Sequence, residues 1–188
     1  VLAVGVLAML FVRNDPTDDG FVSYAPSTVL LHQPSVWELL QGFRRIFSYR
    51  NTWLIFFAQG GLVGSMIAFT GLWGAPFLRA RYSLPSTEAA GVCSIMIVCW
   101  AISSPICGAL SDRIGRRQPI YVAGCLTAAA GWSAMFYVNH LSLTIFVVIA
   151  AITSLASGAV VLGFAHSKES DPAQFLGTIS GTTNIGNM

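Results

Sequence analysis

The 188-residue chain carries too few charges to face water on all sides, since 54% of its residues are hydrophobic and only 10% are Asp, Glu, Lys or Arg. A soluble domain carries about 25% charged residues, so a lipid bilayer is the expected partner of most of this surface. The net charge of +2 comes from ten scattered basic residues, which argues against a nucleic-acid surface.

Long apolar runs predict transmembrane helices, because a bilayer core of about 30 Å needs about 20 apolar residues in helical form. The run 1–12 is interpreted as the end of a truncated span, and 174–188 as the beginning of another. The pattern indicates an all-α, polytopic membrane protein. Because the chain opens and closes inside apolar runs, we expect it to be a fragment. Four complete spans are predicted at 52–78, 89–110, 119–138 and 141–165.

Charge is distributed unequally between the two sets of connecting loops. One set, 13–51, 111–118 and 166–173, contains eight basic residues, whereas the other contains only Arg79 and Arg81. Because basic loops are retained in the cytoplasm, we predict that the first set is cytoplasmic. Arg79 and Arg81 are interpreted as side chains that reach from the membrane interface into water, in preference to a site that attracts anions.

The loop 13–51 is predicted to have two parts. Residues 15–34 are polar and contain several prolines, which is typical of an irregular linker. Residues 36–47 then place apolar side chains at helical spacing, which predicts an amphipathic helix along the cytoplasmic membrane face. The alternative is a docking helix for a partner. The apolar face is Val36, Leu39, Leu40, Phe43 and Phe47, and the polar face is Glu38, Gln41, Arg44 and Arg45.

The most specific pattern is the segment 108–117, which joins two spans through a loop too short to fold alone. Gly108 would let neighbouring helices approach, and Gly115 would allow a tight turn. Asp112 can accept hydrogen bonds from arginines or from a helix N-terminus. Basic residues at its end would hold the loop at the anionic membrane surface. The specified positions are Gly108, Asp112, Arg113, Gly115, Arg116 and Arg117.

This segment resembles the signature of the major facilitator superfamily, G-x-x-x-D-R/K-x-G-R/K-R/K, at every specified position. The resemblance implies a fold of two six-helix halves, with the signature between the second and third helices of a half. The chain would run from helix 6 to the start of helix 11, with 13–51 as the linker and 52–188 as an incomplete C-terminal bundle. Segments 71–78, 100–105 and 177–184 look like those of bacterial permeases, which implies a bacterial inner membrane.

The resemblance also implies secondary active transport of a small solute, in which the two halves alternate access to a central site. The segment 108–117 would be a latch of the cytoplasmic gate, with Asp112, Arg113 and Arg116 in contacts that form in one state only. Its partner would be the N-terminal half, which the chain lacks. The alternative is a membrane receptor or scaffold that has the fold but does not transport.

Uncharged polar and aromatic side chains within the spans are the candidates for a substrate pocket. Gln59, Ser157 and Asn184 are preferred, because a polar group at membrane depth needs a partner or a cavity. Any of these groups could instead serve helix packing. The full set is Gln59, Thr70, Trp73, Trp100, Ser103, Thr153, Ser157 and Asn184.

A bend is predicted near the outer end of the span 52–78, where Gly71, Gly74 and Pro76 interrupt the apolar run. It would be either a hinge of the extracellular gate or a static proline kink.

The sequence offers no recognisable catalytic, metal or cofactor site, so we do not predict an enzyme. The eight acidic residues all fall in loops or at span ends, so any proton-coupling group would belong to the absent half. Four cysteines lie in apolar runs without ligand spacing and are predicted to be small buried side chains. They are Cys93, Cys99, Cys107 and Cys125.

Overall fold

The computed structural model describes residues 44–170 and 176–186, together with Gly20, Ser35, Trp37 and Gly42. The chain divides into two compact units, Val1–Glu38 and Leu39–Met188, and the long helices belong to the second. The predicted span 1–12 and almost all of the linker lie outside the described residues. So does most of the predicted amphipathic helix, of which Arg44–Ile46 is helical with Ile46 fully buried.

Six helices of the second unit position the remaining features. They are α1 (Arg50–Tyr82), α2 (Ser86–Ile114), α3 (Arg117–Tyr137), α4 (Leu143–Ser157), α5 (Val160–Ser170) and α6 (Leu176–Gly186). No strand occurs in the described part of this unit. Among the described residues, four stretches are long and apolar enough to cross a membrane, namely α1, α2, α3 and Leu143–Ser167, the last formed by α4 and most of α5. The predicted all-α fold with four complete spans is therefore confirmed.

Helix ends follow from local sequence. The helix α2 ends at Gly115, whose positive φ of 68° turns the chain and directs its N–H to the carbonyl of Ser111 at 2.9 Å. Ser142 precedes α4, and its hydroxyl accepts a hydrogen bond from the N–H of Ile145 at 3.4 Å. Pro119 lies in the first turn of α3, where its missing N–H costs no helical hydrogen bond.

The span formed by α4 and α5 is the centre of the bundle. Its α4 part packs most extensively against α3 and α2, and α5 contacts α1, α2, α3 and α6. Half of its most apolar stretch is buried, against 33% for α1, 22% for α3 and 17% for α2. The other helices therefore expose most of their apolar surface to whatever surrounds this bundle.

Small residues set the distance between the central span and its neighbours. A Cβ added at Gly124 of α3 would lie 2.5 Å from the Cβ of Ala159, and one at Gly131 would collide with the Thr153 side chain. A Cβ at Gly158 would likewise collide with Ser103 of α2. Close backbone approach of this kind replaces the hydrophobic driving force that is missing between helices in lipid.

The helix α1 contains two stretches of π-helix, Gly60–Gly64 and Phe69–Trp73. The second ends where the N–H of Gly74 bonds to the carbonyl of Phe69, five residues earlier. Pro76 follows, and its ring would collide with the carbonyl of Leu72 in a regular α-helix. The wider turn relieves this collision, so the irregularity lies where the sequence predicted a bend.

The helix ends that the loop assignment places on one side of the membrane lie close together. Asn51 near the start of α1, Gln118 near the start of α3 and His166 near the end of α5 line one groove. At the opposite end, Arg81 near the end of α1 contacts the last carbonyls of α3. The spans thus run alternately up and down, as the loop assignment requires.

Candidate functional site

The first candidate site is the connection between α2 and α3. Gly115 takes the left-handed conformation, Arg116 is extended at φ −137°, and α3 begins at Arg117. A two-residue turn closed by a helix-ending hydrogen bond leaves the backbone little freedom. The backbone on either side of the turn is therefore held at a fixed position relative to the bundle.

The charged side chains of this connection face outward. The Asp112 side chain is 73% exposed, and its carboxylate lies 3.9 Å from the guanidinium of Arg117. Arg113 and Arg116 are exposed as well. An exposed ion pair of this length contributes less than about 1 kcal/mol to stability, so the fold does not depend on it.

One feature predicted for the segment does not occur among the described residues. A Cβ added at Gly108 would meet no atom within 4 Å. Gly108 therefore does not sit at a close contact between the described helices. A helix other than these would have to approach it if the glycine serves packing.

The second candidate site is a break in the central span. Between α4 and α5, the N–H groups of Gly158 and Val161 bond three residues back, to Leu155 at 3.2 Å and to Gly158 at 3.4 Å. The regular four-residue pattern is lost there. Carbonyl groups at such a break need other donors, because no water is present at membrane depth.

Side chains from two other helices also donate to carbonyls on either side of the break. The Gln59 amide Nε2 of α1 donates to the carbonyl of Val160 at 3.2 Å, and the Ser103 hydroxyl of α2 donates to the carbonyl of Leu155. Ser157 lies beside the break, and its hydroxyl donates to the carbonyl of Thr153 at 2.9 Å. Gln59 and Ser103, two of the residues selected from the sequence, thus bond to the backbone around the break, and Ser157, a third, precedes the break in the chain.

Unpaired polar atoms accompany the break. The Gln59 Oε1 and the Tyr121 hydroxyl are buried without a hydrogen-bond partner. Both side chains approach Gly163, where an added Cβ would lie 2.5 Å from Gln59 Nε2 and 3.1 Å from the Tyr121 oxygen. Sequence reasoning missed Tyr121 and Gly163. The pair Gly158 and Gly163 within one apolar run was the sequence signal for an interrupted helix, since glycine weakens a helix interior.

The remaining pocket candidates are dispersed. Thr153 is buried against Gly131, and the Thr70 hydroxyl donates to the carbonyl of Met66 at 2.7 Å. Trp100 is half-buried and packs against both parts of the core. Trp73 is 68% exposed beside an apolar cavity of about 440 Å³. Asn184 is exposed on α6.

The predicted hinge residues differ from one another in their surroundings. Gly71 and Pro76 are exposed, and an added Cβ at Gly71 would meet no atom within 4 Å. Gly74 is buried, and its Cβ would lie 2.7 Å from the sulfur of Cys93. Gly74 therefore allows α1 to approach α2, whereas Gly71 and Pro76 flank this contact. Hinge motion at these three residues stays a prediction.

Arg81 has a role that the sequence did not indicate. Its two terminal nitrogens donate to the carbonyls of Met135 at 2.7 Å and Val138 at 2.6 Å, at the end of α3. Its guanidinium carbon also lies 5.7 Å from the ring centres of Phe77 and Tyr82. The side chain thus binds the end of a neighbouring helix, where a cation is favoured.

The four cysteines are free thiols, of which Cys93 is buried and the other three are partly exposed. Among the described residues, no group of three or more His, Cys, Asp or Glu side chains could hold a metal ion.

Four membrane-length apolar helices, packed through small residues around a central span, define this protein as a multi-pass α-helical membrane protein. The family model of the Major Facilitator Superfamily matches residues 1–188, and the chain belongs to that superfamily. Its members carry small solutes across membranes, and they are typically transporters and not enzymes. No curated protein matches the chain.

Proposed function

We propose that this protein is a secondary transporter that moves a small solute by alternating access, with the segment 108–117 as a latch of its cytoplasmic gate. The observation that carries the proposal is the geometry of Asp112. This carboxylate stands at the end of α2, next to a stiff turn, and is 73% exposed with one long contact to Arg117. An exposed charge on a constrained backbone, with one long ion pair, is available to a partner surface.

The partner would be the N-terminal half of the same protein, which this chain is proposed to lack. In one state of the cycle its surface would contact Asp112, Arg113 and Arg116, and in the other state these contacts would separate. The turn at Gly115 supports this role, because a rigid element transmits a small displacement without absorbing it. A receptor or scaffold with the same fold would form the contacts without flux.

The latch is proposed to lie on the cytoplasmic side of a bacterial inner membrane. The loops 13–51, 111–118 and 166–173 hold eight of the ten basic residues. Basic loops remain in the cytoplasm during insertion. The meeting of Asn51, Gln118 and His166 at one end of the bundle supports a common side for these loops.

The substrate is proposed to contact the broken central span. Gln59 and Ser157 are the preferred residues there, since Gln59 keeps an unpaired acceptor oxygen next to an interrupted helix. Transporters commonly bind substrates where helices are interrupted near the membrane midplane. The dispersed candidates Thr70, Trp73, Trp100, Thr153 and Asn184 stay predictions for further contacts with the substrate.

The substitution Asp112→Asn tests the latch in the intact transporter. We expect flux in proteoliposomes, measured first with a panel of labelled sugars, amino acids and organic acids, to fall at least about tenfold, because a charge-assisted hydrogen bond to a partner contributes about 1.5–3 kcal/mol. Thermal stability should change little, since the pair with Arg117 is long and exposed. Insertion is checked by purification yield and monodispersity.

The matched control is Glu88→Gln, which makes the same chemical change in the first turn of α2, at the other end of that helix. It should leave flux unaffected. Unchanged flux in Asp112→Asn would refute the latch. Substrate binding without flux in the wild-type protein would favour the receptor.

A further inference from the structure

A large cleft lies beside the connection between α2 and α3, with a volume of about 1010 Å³. Its walls come from the end of α2, the first turns of α3 and His166 of α5. The walls are of two kinds. Arg116 and Arg117 line it at the start of α3, whereas further along α3 the wall is formed by the exposed apolar side chains Val122 and Leu126.

Polar groups in the cleft favour an anion. Ser111 lines it and is only 1% exposed, yet its hydroxyl has no hydrogen-bond partner. The first turn of α3, at Arg117 and Gln118, also lines it, and N–H groups at a helix start have no partner within the helix. Together with the positive end of the helix dipole, these donors suit a phosphate group.

The charges of the lining residues also favour an anion. Among the described residues that line the cleft, two arginines face one acid, Asp112. Asp112 lies 3.9 Å from Arg117 and is mostly exposed, so it offsets only part of the positive charge. The unsatisfied Ser111 hydroxyl lies on the same wall as Asp112 and Gly115.

We propose that this cleft binds an anionic phospholipid of the surrounding leaflet. The headgroup phosphate would accept hydrogen bonds from Ser111, from Arg116 and Arg117 and from the start of α3. An acyl chain would lie along Val122 and Leu126. The apolar wall favours a lipid over a soluble phosphate, because a small hydrophilic anion would leave that wall uncovered. This inference needs the membrane location but not the latch function.

Lipid binding is measured on the intact protein in detergent, by native mass spectrometry during titration with phosphatidylglycerol and, separately, phosphatidylcholine. The wild-type protein should retain phosphatidylglycerol preferentially. Arg116→Gln and Arg117→Gln should each lower that preference about fivefold, the effect expected of one basic side chain at an anionic surface. Arg113→Gln is the matched control, because Arg113 belongs to the same segment but is not among the residues that line the cleft. An equal loss in Arg113→Gln would show general surface attraction and overturn the site.

Ser111→Ala tests the buried hydroxyl without changing charge. It should weaken phosphatidylglycerol binding several-fold while leaving the lipid-free protein as stable as before or more so, since the hydroxyl lacks a partner there. Unchanged lipid preference in Ser111→Ala would contradict its role as a ligand.

Competition separates the two possible sources of phosphate. Millimolar glycerol 3-phosphate should not displace bound phosphatidylglycerol, and Leu126→Ser should weaken lipid binding through the apolar wall. Complete displacement by the soluble phosphate would overturn the lipid assignment in favour of a soluble anion.

Discussion

Arg81 shows how a single side chain can bind together two helices that are far apart in sequence. It donates from both terminal nitrogens to carbonyls near the end of α3, at 2.7 and 2.6 Å. These carbonyls lack partners within their own helix, and the cation also complements the negative end of the helix dipole. The C-terminal end of α1 is therefore fixed to α3 by charge as well as by packing.

Replacing this side chain should loosen the outer end of the bundle. Arg81→Gln is expected to lower the free energy of unfolding by about 1–2 kcal/mol, because hydrogen bonds from a charged donor are lost at a partly exposed site. The measurement is the thermal unfolding midpoint of the intact protein in detergent. Arg79→Gln removes the same charge from an exposed neighbour and should shift the midpoint little. Equal shifts in the two variants would show that only net charge matters.

The sequence indicated which polar residues are important more readily than it indicated which groups they contact. Gln59, Ser103 and Ser157 were selected as uncharged polar groups at membrane depth, and each donates to a backbone carbonyl in or beside the break in the central span. Tyr121 was missed because a tyrosine about one turn into a span is typical of an interface. Its neighbour Gln59 is more than 60 positions away in sequence, so only the fold brings them together.

The positions of the helices were predicted closely where hydropathy determines them. The predicted spans 52–78 and 89–110 correspond to α1 at Arg50–Tyr82 and α2 at Ser86–Ile114. Helices extend beyond the membrane, and hydropathy does not detect those turns. The break after Ser157 was not predicted, because the run 141–165 contains no proline, and its glycines Gly158 and Gly163 were not interpreted as an interruption.

The π-helical stretch before Pro76 can be tested by removing its cause. Pro76→Ala restores an N–H and removes the collision with Leu72, so α1 should straighten and the protein should become more stable. If the stretch is a hinge, flux should fall although stability rises. Pro105→Ala is the matched control, because Pro105 lies inside α2, where no π-helix occurs. It should raise stability without slowing flux.

An unaltered rate of flux in Pro76→Ala would show that the irregularity is a static kink. A gain in flux would likewise exclude a hinge that needs the wider turn. Circular dichroism of both variants would verify that helix content is retained.

At the scale of the molecule, burial is strongly asymmetric. Half of the apolar stretch of Leu143–Ser167 is buried within the bundle, whereas only 17% of that of α2 is buried. The spans' number and order could be predicted from sequence, but not which span is central. Whether a span is central depends on its contacts with all the other spans. The local sequence pattern of every apolar run is similar, so it does not reveal those contacts.

This asymmetry predicts how the intact protein reacts with a lipid-soluble carbene reagent. Labelling per residue should be lowest in Leu143–Ser167 and higher in α2 and α3, because access to the lipid phase follows exposure. Peptide mapping by mass spectrometry measures it. Faces of α2 or α3 that stay unlabelled would mark where the proposed other half covers them. Labelling of α4 equal to that of α2 would contradict the central position of α4.

The interrupted central span also has a mechanical consequence. At about 1.5 Å per residue, α5 is about 16 Å long, so a tilt of about 10° at its origin would displace its far end by about 3 Å. His166 lies near that far end, on the wall of the cleft beside the α2–α3 turn. Two hydrogen bonds, from Gln59 and Ser103, brace the pivot. A solute that accepted a hydrogen bond from Gln59 or Ser103 would remove one of these two supports. Binding in mid-membrane would then displace the end of α5 at the membrane surface.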